Sequence, residues 1–207
     1  QGAESVVHTV TVTVSGQNEA LVADPVSISA PAGSTTITGQ FAADDTDNDE
    51  NGSGLVYVIV SQPVAGSVTT SGNPGDRNFS FDTSTGFDDL ALGELRQVTF
   101  TYKVRDTHGA ESATQTVTVT VTGVNDNPTA GTVQVNAAED GAPVTSSFNS
   151  NNFDSDDSTA SLIYSIVSGP ASGNGTVTVG GNGTFTFTPG TDFQGLAAGE
   201  TKDVTFV

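Results

Sequence analysis

Apolar and polar positions alternate in short runs along the chain, and no stretch repeats its apolar residues at helical spacing. "QVTFTYKV" (97–104) puts Val98, Phe100, Tyr102 and Val104 on one face and Gln97, Thr99, Thr101 and Lys103 on the other, as a half-buried strand requires. "LVYVIV" (55–60) is a continuous apolar run of strand length. "TVTV" (176–179) and "TFTFT" (184–188) are separated by "GGNG", which predicts a hairpin with Phe185 and Phe187 facing the same way. Clusters of Gly, Asn, Asp and Pro separate such runs throughout. The pattern predicts an all-β protein of antiparallel sandwiches and argues against a barrel enzyme or a βαβ fold.

The runs occur twice. "GAES" at 2–5 returns at 109–112, an offset of 107, and "TVTVTVSGQNEALVA" (9–23) lies over "TVTVTVTGVNDNPTA" (116–130). "LVYVIVSQP" (55–63) lies over "LIYSIVSGP" (162–170) at the same offset. One residue is lost in a turn, and "FSFDTSTGFDDLALGELRQVTF" (79–100) then covers "FTFTPGTDFQGLAAGETKDVTF" (185–206). A tandem array follows. Residues 1–17 are expected to hold the trailing strand (4–15) of a preceding module, 18–124 a first module, and 125–207 a second module without the strand that aligns with 113–122. An edge left without that strand is a template for strand addition, so head-to-tail self-association is expected.

Composition sharpens this picture. The chain has 207 residues and a formal net charge of -19, from 5 Lys+Arg against 24 Asp+Glu. Such a surface repels phosphate backbones and attracts cations, so nucleic acid is not an expected partner. No apolar run approaches the roughly 20 residues of a membrane-spanning helix, so membrane insertion is not expected. With no cysteine, zinc–thiolate sites, disulfides and thiol catalysis are excluded, and His8 and His108 are the only histidines. His108 lies in a polar turn beside Asp106 and reads as a surface residue. No Ser/His/Asp set recurs between the copies, so no enzyme is expected. Tyr57 and Tyr164 occupy equivalent strand positions and read as core. Lys103 and Lys202 are not equivalent, which disfavours a repeated isopeptide crosslink.

The acids gather at the expected module ends. One group follows the second expected strand, where Asp47 and Asp49 lie over Asp154 and Asp156. Asp106 precedes the final strand, and Asn125, Asp126 and Asn127 form the linker, with Asn18 and Glu19 at the matching place above. Alternate turns of a sandwich share one end, so these groups are expected to converge. Oxygens converging in this way suit a hard cation such as Ca²⁺, which takes 6–8 oxygen ligands. "DTDNDENG" begins like an EF-hand loop but has Glu50 and Val56 where that loop needs Gly and Glu. "GGNGTF" has Phe185 where a calcium-binding nonapeptide repeat needs its aspartate.

"VNDNPTA" (124–130) resembles the D-x-N-D-N-x-P linker of cadherin repeats, and "DND" (47–49) and "DSD" (154–156) are similar to the cadherin D-A-D motif. "VRDTHGAES" resembles the A-x-D-x-G turn, and "AEDGAP" (138–143), with Glu139, resembles the first-strand glutamate motif. Taken together, the chain resembles the cadherin-like, VCBS-type tandem repeats of large bacterial (RTX-type) surface adhesins. Departures are visible. The L-D-R-E position reads "LALG", followed by Glu94, and Ala32 and Gly33 stand where the second copy has Glu139 and Asp140.

The resemblance implies immunoglobulin/cadherin-like Greek-key sandwiches placed end to end, secreted or at the bacterial cell surface. Their role would be a calcium-stiffened spacer in cell adhesion or biofilm formation. Its implied calcium ligands are Asn125, Asp126, Asn127, Asp154, Asp156, Glu94, Asp47, Asp49, Asp106, Asn18, Glu19 and Glu139. Neighbouring modules are the implied partners. The alternative is a carbohydrate-binding module of a secreted polysaccharide-processing protein, with a glycan as partner; it requires exposed aromatics on one sandwich face.

Overall fold

The computed structural model describes residues 1–33, 36–46, 53–148, 152–158 and 161–207. Among the described residues, twelve strands run in chain order: β1 (Val22–Asp24), β2 (Val26–Pro31), β3 (Thr36–Gln40), β4 (Ala42–Asp44), β5 (Val56–Ser61), β6 (Ser67–Thr70), β7 (Asn78–Asp82), β8 (Leu95–Arg105), β9 (Gln115–Thr122), β10 (Val144–Ser147), β11 (Thr176–Val179) and β12 (Thr184–Thr188). The fold is all-β, with no helix among the described residues. The strands form sheets ordered β2-β9-β8-β5, β3-β7-β6, β10-β12-β11 and β1-β4.

Two compact units emerge: Gln1–Ile28, Thr36–Asp82 and Val98–Val119, and then Ser29–Thr35, Thr83–Gln97 and Thr120–Val207. In the first, the alternation of β8 does what its sequence dictates. Val98, Phe100, Tyr102 and Val104 are buried, and the residues between them are not. β7 turns Phe79 and Phe81 inward against them, with Phe79 meeting Phe100 edge-on at 5.3 Å. Phe41 stacks on Tyr57 at 5.3 Å and on Tyr102 at 4.5 Å. Aromatic pairs of this kind add about 0.5–1.5 kcal/mol beyond the area they bury. The Tyr102 hydroxyl donates toward the carbonyls of Asp24 (2.5 Å) and Ala42 (2.7 Å), and β1 and β4 pair those two residues.

In the second unit, β11 and β12 make the expected hairpin, and Phe185 and Phe187 are buried. Its turn needs the left-handed conformation twice: Asn182 has φ 55° and Gly183 φ 69°, closed by the Thr184 amide on the Gly181 carbonyl.

Two expected strands do not form. Residues 4–15 carry no ladder pairing. Residues 162–167 align with β5 but are not a strand either. Their expected neighbour, 203–207, reaches them only through hydrogen bonds between Val207 and the Val167–Ser168 backbone.

Candidate metal centre

The linker is fixed at both sides. At its start, the Gly123 amide donates to the Glu94 carbonyl (2.7 Å) and the Gly93 amide donates to the Gly123 carbonyl (3.0 Å). A side chain on Gly123 would run into the carbonyl oxygens of Leu90 and Ala91, so only glycine fits. Further on, Thr129 and Phe153 exchange backbone hydrogen bonds at 2.8 and 3.1 Å, and the Gly131 amide donates to Asn152 Oδ1 at 3.2 Å. This short antiparallel bridge lays Asp126 beside the "DSDD" turn (154–157).

There, Ser155 Oγ donates to Asp126 Oδ2 at 2.7 Å, and the Asp126 amide points at Asp156 Oδ2 with a long contact of 3.4 Å. The carboxylates of Asp154, Asp156 and Asp157 offer oxygens within 4.8 Å of one another. Asp154 is only 9% exposed. Oδ1 of Asp154 and Oδ1 of Asp156 are buried and make no hydrogen bond. Burial raises the Asp154 carboxyl above its ordinary value, and the hydrogen bond and charge of Asp156, with the charge of Asp157, add to the rise. Arg96 pairs with Asp89 and Lys103 with Glu111, neither of them on this turn. Crowded carboxylates with unpaired, half-buried oxygens are the donor set a hard divalent cation satisfies. The residues present fit such an ion.

A cleft of about 310 Å³ beside Asp126 is lined by Ala32, Gly33, Phe87, Asp88 and Val124 as well. The model of the family described as "Bacterial Ig domain" matches residues 17–121 and 125–206. The chain belongs to the bacterial Ig domain family.

Among solved structures, this bacterial Ig-domain chain is similar to a protocadherin GammaB4 extracellular domain, at 15% identity and a TM-score of 0.42 over 83% of this chain and 29% of that one. It is also similar to an endo-fucoidan hydrolase from glycoside hydrolase family 107, at 16% identity and a TM-score of 0.39 over 89% of this chain and 26% of that one. The chain thus spans under a third of either protein. No curated protein matches it.

The other expected ligands fall in several places. Asp106 is buried and meets Asn18: Asn18 Nδ2 donates to Asp106 Oδ2 at 2.9 Å, and the Ala110 amide donates to Oδ1 at 2.8 Å. The Asn18 amide, followed by the turn amides of residues 108–110, holds the Asp106 carboxyl below the ordinary value. Asp47 and Asp49, expected beside them, lie outside the described residues. Glu19 is exposed. Asn125 turns its amide onto the Asp126 carbonyl at 2.6 Å, and Asn127 is exposed. Glu94 is turned into its own loop, where Oε2 accepts from the Ala91 amide at 3.2 Å; Glu200 does the same for Ala197 at 3.0 Å. Glu139 has a buried, unpartnered Oε2 but is not in the Asp154–Asp157 group. Sequence reasoning passed over Asp157, Ser155 and Asp88. The run "DSDD" offered a signal for the first two, since a hydroxyl between two aspartates lies next to whatever they bind.

Proposed function

We propose that the chain is a calcium-stiffened extracellular spacer of a bacterial surface adhesin, with no catalytic role. The observation that carries the reading is the pair of buried, unpartnered carboxylate oxygens on Asp154 and Asp156, held beside Asp126 of the linker. A bound Ca²⁺ would supply positive charge and oxygen-preferring coordination at that turn. Asp154, Asp156 and Asp157 would hold the ion, with Asp126 brought alongside by Ser155. Without a cation, the same carboxylates repel one another and loosen the linker's hold on the turn. Membership of the bacterial Ig domain family and the net charge of -19 support a place outside the cell, at a bacterial surface.

The test is a calcium titration of the intact chain by calorimetry, with melting followed in calcium and in chelator. Affinity on the order of 10⁻⁴–10⁻³ M suits an extracellular module. At 100-fold excess over Kd the ion adds about 2.7 kcal/mol of stability. Mg²⁺ should substitute poorly, because it gives up its water reluctantly and demands a tight octahedron. Chelation should also lower the maximum dimension seen by small-angle scattering. No heat of binding, with unchanged melting and scattering, removes the calcium reading.

A further inference from the structure

The outer strand of a sheet carries backbone amides and carbonyls on its open side, and a further strand can add there. β6 is such a strand, at the edge of the sheet ordered β3-β7-β6. Its sequence, "SVTT", has none of the charges or prolines that blunt an edge. Gln62 meets that edge. It directly follows β5, and residues 62–66, with Gly66 at φ 72°, turn the chain back into β6. The Gln62 carboxamide takes both backbone groups of Val68: Nε2 donates to the Val68 carbonyl at 3.0 Å, and Oε1 accepts from the Val68 amide at 3.1 Å. Val68 therefore faces away from β7, and Thr69, opposite Ser80, faces toward it.

A residue on an added antiparallel strand would exchange these same two bonds with Val68. A carboxamide carries an acceptor and a donor on one carbon, so it can stand in for that residue; a carboxylate has no donor, and an alkyl chain has neither. We propose that Gln62 seals the β6 edge, its carboxamide occupying the outward amide and carbonyl that another strand would need. The second copy supplies the comparison. β11 is the edge of the sheet ordered β10-β12-β11, and it sets Val177 opposite Phe187 as β6 sets Val68 opposite Phe81. In "LIYSIVSGP", Gly169 stands in the place of Gln62, with open space around it. Glycine has no side chain to lay across an edge, so this seal is not repeated there.

Amide hydrogen exchange followed by NMR on the full chain tests the seal. In Gln62→Ala the Val68 amide should exchange on the order of tenfold faster, as loss of one hydrogen bond implies, while the Thr69 amide keeps its rate. Gln62→Glu retains an acceptor for the Val68 amide, so that amide should stay slow. Sedimentation in chelator and about 1 M salt, where the Debye length is about 3 Å and charge no longer holds copies apart, tests what the seal keeps out. There Gln62→Ala should reach a higher mean mass than the wild type, as β6 of one copy adds to β6 of another. A Val68 amide that ignores Gln62→Ala overturns the proposal. So does one that speeds up together with Thr69, since the change would then be general loosening, and so do equal masses for the variant and the wild type.

Discussion

Two buried tyrosines of the first unit separate the worth of a ring from the worth of its hydroxyl. Tyr57 and Tyr102 both stack on Phe41, and replacement by phenylalanine keeps both rings in place. Their hydroxyls differ. That of Tyr102 donates to the Asp24 and Ala42 carbonyls and accepts from the Ala42 amide at 3.3 Å, so it ties β8 to the β1–β4 pair. That of Tyr57 is buried and has no partner. A made hydrogen bond contributes about 0.5–1.5 kcal/mol net, and a buried group left unpaired costs about 1–3 kcal/mol. Tyr102→Phe removes a bonded hydroxyl and strands its carbonyl partners, so it should lose about 1–3 kcal/mol. Tyr57→Phe removes a group that was desolvated without return, and should be neutral or stabilising by about 1 kcal/mol. The two variants should therefore melt roughly 8 °C apart, at about 4 °C per kcal/mol for a domain of this size. Urea unfolding followed by far-ultraviolet circular dichroism measures the difference directly. Equal losses in the two variants would refute the reasoning, because the hydroxyls would then not be what distinguishes them.

Further outcomes follow from the same contacts. Burial raises the Tyr102 phenol above the ordinary 10.0, against the opposing pull of its bonds to Ala42 and Asp24. Its contribution is thus complete below pH 10 and lost as pH rises through the folded-state value, so wild-type stability should fall there while Tyr102→Phe changes less. Asp156→Ala should abolish the calcium-dependent rise in melting temperature, yet equal or exceed the wild type in chelator because one like charge is gone; Asp82→Ala, in β7, should keep the calcium response. Gly123→Ala should cost about 1–3 kcal/mol in thermal unfolding, since its methyl meets backbone oxygens that cannot retreat. Gly16→Ala, at the matching repeat position with open space around it, should be silent.

Periodicity made the strands of the first copy legible because each has a neighbour on which to act. In β7 and over 97–104 of β8, alternation and burial agree position by position. The same kind of alternation at 9–14 predicts a strand that does not form: a strand is a property of a pair, and one segment's pattern carries no information about its partner. Residues 162–167 fail for the same reason. At the site, the repeat alignment set the linker beside the 154–157 turn as an expectation, and the structure places the Asp126 amide 3.4 Å from Asp156 Oδ2 and its carboxylate on Ser155. The alignment could not assign Glu94. That carboxylate caps its own loop in both copies, a local hydrogen bond that spacing does not distinguish from a ligand position.

The two copies differ in a way that bears on what the array is for. Their cores repeat almost to the ångström. Phe41–Tyr57 stack at 5.3 Å and 8°, and Phe148–Tyr164 at 5.5 Å and 10°. Phe79–Phe100 and Phe185–Phe206 both meet edge-on at 5.3 Å. The loops at the ends of the strands keep their backbone bonds, as at Glu94 and Glu200, but not their charged side chains. Arg96 clamps Asp89 with two bonds of 2.9 Å, whereas the second copy has Gly195 at the position of that aspartate, and its Lys202 sits 5.7 Å over the Phe193 ring. Ala32 and Gly33 become Glu139 and Asp140, the first with an unpartnered oxygen and the second held by Gln194 at 2.8 Å. Packing constrains an interior against change of even one methylene, and surface loops carry no such constraint. A chain that keeps its aromatic core and varies the charged side chains of its loops can change what those loops attract without refolding the packing beneath them.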